Sequence, residues 1–167
     1  MRQRHADFYH RLVFEAQKEM RTPNESAWFD KLDNDTDNLQ AIMRSYLRDG
    51  SYEVAAHIAW TLWHFWLANT NLAEWQHWTK AMLNQLDGES SARAKAVTLR
   101  GSVAVWQGDY DLGIPLIQQG AALFGKLGKA HHQTEAMMML GLALLNKGDR
   151  AAASEVMARG LGLPPTS

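Results

Sequence analysis

Residues 99–113 read "LRGSVAVWQGDYDLG" and residues 139–153 read "MLGLALLNKGDRAAA". The two stretches align at an offset of 40. Gly101 pairs with Gly141, Ala104 with Leu144, Gly108 with Gly148 and Asp109 with Asp149. Each stretch is an apolar helix with a glycine in its middle, then Gly-Asp, then the start of another helix. A glycine inside a helix costs about 1 kcal/mol relative to alanine. It belongs there when a paired helix must come close to the backbone. At the turn, glycine takes the left-handed conformation that ends the first helix. Aspartate then offers an oxygen to the free N–H groups of the next. The pattern is a helix–turn–helix unit used twice. A weaker third copy puts Trp63, Thr70 and Asn71 in the places of Gly101, Gly108 and Asp109.

Outward from the repeats, strand signals are nearly absent and helical spacing is general. Phe8, Leu12, Val13 and Ala16 predict a helix over about 4–20, broken by "RTPNES". A second helical region carries Trp28, Phe29 and Leu32, then Leu39, Ile42, Met43, Tyr46 and Leu47, with Gly50 as its C-terminal cap. Asp35 or Thr36 is expected to cap the helix that carries Asn38 and Leu39. The next helix is expected over 52–68. Val54, Ile58, Leu62, Phe65 and Trp66 share one broad face, and Ala56, Trp60, Trp63 and Leu67 the adjoining one. His57, Thr61 and His64, with Ala68, form a narrow third strip. A helix this apolar around its circumference is packed on two sides. Residues 72–86 form its partner. Pro115 falls where the helix after Asp109 should be under way, so a late start or a kink is expected.

The chain of 167 residues has 46% hydrophobic and 21% charged residues, both near globular averages. Net charge −1 argues against non-specific nucleic-acid binding, which needs a basic face. There is no cysteine, hence no thiolate nucleophile or cysteine-held metal, and the absence fits a reducing cytoplasm. The most apolar run, Val54 to Ala68, is fifteen residues and contains two histidines, whereas a spanning helix needs roughly 20. No membrane partner is expected.

The repeat resembles the tetratricopeptide repeat (TPR). "GDYD" before Ile114, and "GD" before "AAA", match that motif's turn and second helix, and Gly101 and Gly141 match its small residue. Pro164 and Pro165 fall where the repeat usually ends. The spacing departs from the usual period of about 34 and is similar to the longer repeats of maltose-activator-type regulators. Gly113 and Gly120 stand where alanines are usual. The N-terminal half, with "RHADFY", Trp28, Leu32, "DNLQAI", Gly50, Trp63, "FW", Glu74 and Trp78, resembles one segment of bacterial LuxR-like and antibiotic-regulator-like signal-transduction ATPases. That likeness covers most of 4–83, and the repeats cover roughly 57–163. It implies an all-α fold: antiparallel helix pairs in a short right-handed TPR-like α-solenoid. A single domain, 1–167, would comprise N-terminal helices (1–50) and pairs at 52–86, 90–128 and 130–163. No Gly-rich loop ending in Lys-Ser or Lys-Thr is present, so ATPase chemistry is not carried over, nor is DNA binding. The expectation is a sensor or scaffold segment.

In such solenoids the first helix of each pair lines the concave face. The resemblance therefore implies groove positions His57, Trp60, Thr61 and His64; Lys95, Thr98, Ser102 and Trp106; and Glu135, Met138, Leu142 and Asn146. Trp63 and Trp66 would fill core, and Trp75 and Trp78 would pack between the N-terminal half and the repeats. Of Met137, Met138 and Met139, two would be core and one would face the groove. The seven histidines lack a metal-ligand spacing, and "DKLDNDTDN" offers carboxylates without a nucleophile–base set. No catalytic residue, metal or cofactor is expected. The expected partner is a protein or peptide, or another domain of a larger regulator. A small-molecule effector, sugar-like in chemistry, and a second copy of the chain are the alternatives. The last helix would support the second copy, because Val156, Met157 and Leu161 have no later cap.

Overall fold

The computed structural model describes residues 25–63, 65 and 72–162, together with Glu15 and Lys18. The helix expected over 4–20, the turn at Thr70 and Asn71, and the side chains of His64 and Trp66 lie outside the described residues. Among the described residues there are eight α-helices and no strand. They are α1 (Glu25–Asn34), α2 (Thr36–Arg48), α3 (Tyr52–Thr61), α4 (Leu72–Gln85), α5 (Ser91–Trp106), α6 (Tyr110–Lys126), α7 (Ala130–Lys147) and α8 (Arg150–Gly160). None is long and apolar enough to cross a membrane.

The Gly-Asp turns do both jobs their sequence requires. Gly108 and Gly148 have φ of 83° and 94°. The N–H of Asp109 reaches the Ala104 carbonyl at 2.9 Å, and that of Asp149 reaches Leu144 at 2.9 Å, closing the helix ends. Then Asp109 Oδ1 accepts from the Leu112 N–H, and Asp149 Oδ1 from the Ala152 N–H, each at 3.1 Å. Gly50 also closes its helix: Ser51 N–H donates to the Tyr46 carbonyl at 2.8 Å. Replacing Asp109 with alanine is expected to cost about 1 kcal/mol. Replacing it with asparagine should cost much less, and paired urea midpoints would check the difference.

Helix α5 is the hub. It packs against α3, α4, α6 and α7. Residues 94–99 and 101–105 are all buried. Alanine, glycine, serine and threonine at these positions keep α5 thin enough to hold neighbours on every side. The closest approach is to α6. A Cβ on Gly101 would stand 2.7 Å from the Gly113 carbonyl oxygen, and one on Gly113 would stand 2.7 Å from that of Gly101. A Cβ on Gly120 would collide with Thr98 Oγ1. Gly113 and Gly120 thus let α6 lie backbone to backbone on α5. The remaining order is sequential: α7 packs on α6 and α8 on α7, with α7 also touching α5.

Three expectations are corrected. The helix expected over 52–68 ends at Thr61, and Leu62 is a turn before helical Trp63 and Phe65. Thr61 Oγ1 donates to the His57 carbonyl at 3.0 Å, a back-bond of the kind that bends helices. Asp35 stands at the start of α2, but its side chain caps no backbone N–H; it accepts from Asn38 Nδ2 at 3.3 Å, while Thr36 Oγ1 turns back to the Leu32 carbonyl. Helix α6 does not start late. It begins at Tyr110 because Asp109 caps it there, with Pro115 exposed in its second turn.

Candidate recognition groove

His57 on α3, Lys95 on α5 and Glu135 on α7 hold matching places in successive units, and the fold brings them into one row. Lys95 Nζ lies 3.2 Å from His57 Nδ1. The Trp60 indole N–H donates to Glu135 Oε2 at 3.0 Å, tying α3 to α7. The indole is stacked on His132, centroids 5.8 Å apart at 13°, and meets the Phe124 ring edge-on at 5.3 Å. Phe124 in turn lies 5.3 Å from His132. His131 Nε2 stands 3.6 Å from Glu135 Oε1.

Burial, Lys129 and the Glu135 carboxylate compete at Lys95. Burial is the largest effect and, with Lys129, holds the ammonium below its ordinary pKa; Glu135 opposes them. His132 is also held below its ordinary 6.5, first by burial, then by Lys95, with lesser contributions from His131 and Lys129, against Glu135. Both shifts mean that the unfolded chain binds these protons more readily. For His132, full stability is present above 6.5 and is lost as pH falls through that value toward the lower folded one. For Lys95, stability rises as pH climbs toward 10.5.

Beside this row lies an apolar trough. One hollow of about 340 Å³ is lined by Trp63, Val105, Trp106 and Asn146, among others. A second, of about 300 Å³, is lined by His131, Thr134, Glu135 and Met138. Trp63, Met139 and Leu142 line both, so the two adjoin along α7.

The expected groove residues divide accordingly. Glu135, Met138, Ser102, Trp106, Leu142 and Asn146 line the trough, with Trp106 56% and Leu142 50% exposed. Met137 and Met139 are buried and Met138 is half-buried; Met138 and the edge of Met139 reach the trough. Trp60 is only 5% exposed, because Phe124, His132 and Glu135 enclose it. Lys95 is 8% exposed, held against His57. Thr98 is fully buried: it faces Gly120, and its hydroxyl donates to the Ala94 carbonyl. Thr61 is half-buried and bonded to its own helix. Trp63, expected as core, is half-buried against the core and also lines both hollows, just after the turn at Leu62. His132, Phe124 and Lys129 were not expected at the site. The i,i+4 spacing of His131 and Glu135 was the one legible signal for this corner. Trp75 and Trp78 are buried, 6.2 Å apart. Among the described residues no three histidine, aspartate or glutamate side chains are placed to hold a metal.

No family model, curated protein or solved structure matches this chain.

Proposed function

We propose that the protein is a non-enzymatic recognition module, a short right-handed α-solenoid of antiparallel TPR-like helix pairs that works in the cytoplasm. The packing supports the architecture. Alternate helices α3, α5 and α7 touch, as the first helices of stacked pairs do, while α6 and α8 each pack on the helix before. The observation that carries the function is the trough. Trp106 and Leu142 are half-exposed beside Met138 and Trp63, and monomeric proteins rarely leave such apolar surface together without use. Its occupant is an extended peptide or a partner domain that presents apolar side chains. In a larger regulator of the resembled kind, occupancy would bias a closed and an open state.

A small-molecule effector is the second reading, favoured by the first hollow, whose size falls in the range of ligand sites. Self-association through α8 has less support. Val156 is buried and Met157 is turned onto Gly141, so of the three apolar residues only Leu161, 58% exposed at the end of α8, is offered to a second copy, while Glu155 and Arg159 are exposed on the same helix.

Titration of intrinsic tryptophan fluorescence with a peptide array and a carbohydrate and metabolite panel tests the proposal. A bound member should lose at least tenfold in affinity on Leu142→Glu or Trp106→Ala, at unchanged stability. Undiminished binding by both variants would place recognition elsewhere.

A further inference from the structure

The corner where α3 meets α7 carries more charge chemistry than packing alone needs. The groups around His132 come from every neighbouring helix: Trp60 from α3, Lys95 from α5 with His57 of α3 against it, Phe124 from α6, Lys129 at the cap of α7, and His131 and Glu135 from α7. One carboxylate faces two ammonium groups and two imidazoles. That carboxylate is shared, since Oε2 takes the Trp60 indole N–H while Oε1 faces His131. Glu135 and His131 also line the trough.

We propose that His132, stacked on Trp60 beside Lys95 and Glu135, is the pin of a proton-operated latch that ties α3 to α7 at the head of the trough. With neutral imidazole the stack holds Trp60 in place, and the indole holds Glu135. Protonation adds a further cation to a half-buried corner with a single carboxylate. An indole face attracts a cation, so the stack alone would keep the charged ring. Burial and repulsion from Lys95, His131 and Lys129 oppose it and hold the imidazole below its ordinary pKa, so a charged ring is under pressure to leave. The charged ring leaves the stack for water, Trp60 loses one wall, and Glu135 exchanges the indole for the new cation or for solvent. The trough then loses its fixed end. As regulation of the groove, the latch rests on the reading above; as a conformational device it does not.

The test needs no ligand, so the two readings fail separately. The full chain is titrated from pH 8 to pH 4 while three signals are followed: the His132 ring protons, the Trp60 indole N–H resonance and intrinsic fluorescence. The expected result is one acid step below 6.5, shared by all three, with faster exchange of the Trp60 N–H on its acid side. His132→Phe keeps a ring on the indole and should abolish the step. Lys95→Met removes a cation and should move the midpoint to higher pH. Glu135→Gln keeps an acceptor for the indole, removes the carboxylate, and should move the midpoint lower. Global unfolding is separated by far-UV circular dichroism, which should stay unchanged through the step. A step that survives His132→Phe at the same midpoint would overturn the proposal. So would an indole signal indifferent to His132 titration.

Discussion

Replacing Gly101 with alanine is expected to destabilise the protein by about 3 kcal/mol, although alanine is the better helix former by about 1 kcal/mol. The added Cβ would stand 2.7 Å from the Gly113 carbonyl oxygen and 2.9 Å from the Ile117 amide nitrogen. Both are backbone atoms of α6, so no rotamer change can clear them, and the two helices must separate. Separation opens the rest of their interface, which includes the packing of Thr98 under Gly120. The equivalent change at Gly141 should behave differently. Its Cβ would meet Met157 Cγ at 2.5 Å, on a flexible thioether that can turn away. Gly141→Ala is therefore expected to fall within about 1 kcal/mol of zero, since a strained rotamer costs roughly what helix propensity returns. Thermal unfolding reads the contrast: Gly101→Ala should lower Tm by roughly 6–12 °C at this size, and Gly141→Ala by much less. Equal losses would mean that Met157 is as fixed as backbone.

That contrast shows how far the repeat was legible. The Gly-Asp pairs carry their own structural instructions, one left-handed residue and one side-chain acceptor, and both turns form as those chemistries require. The mid-helix glycines were legible as close approaches, but what approaches each is a tertiary fact. Gly101 meets a glycine of α6, and Gly141 meets a methionine of α8. The bend at Leu62 was hidden because apolar periodicity continues straight through it.

The site was legible as a row and illegible in depth. His57, Lys95 and Glu135 occupy corresponding places in successive units, and alignment of units is enough to set them side by side. Exposure depends on what covers each residue. Thr98 is buried because Gly120 lets α6 descend on it, and Lys95 because His57 lies against it. Trp60 is closed in by His132 and Glu135, more than 70 residues later in the chain. No local pattern around Trp60 encodes those neighbours. Trp60, expected at the groove, is buried for that reason, while Trp63, expected in the core, is only half-buried against it. Glu135 captures the indole of Trp60, and Trp63, just past the turn at Leu62, reaches the trough from the edge of the core.

The two tryptophans left to weigh, Trp60 and Trp106, should therefore part company on truncation. Trp60→Ala is expected to cost about 4 kcal/mol, the range for a large buried aromatic. It removes the partner of the Phe124 edge and the wall against which His132 stacks, and it takes the indole donor from Glu135. Against a total stability of roughly 5–15 kcal/mol this is severe, so Trp60→Phe supplies the milder test. It keeps a ring between Phe124 and His132 but no N–H, and should cost about 2 kcal/mol, the worth of a hydrogen bond to a charged group. Trp106→Ala should stay within about 0.5 kcal/mol of wild type, because the ring is half-exposed at the lip of the trough. Urea midpoints rank the three variants. If Trp106→Ala were as damaging as Trp60→Ala, Trp106 would be core, and the trough would lose the exposed aromatic on which its reading as a recognition surface depends.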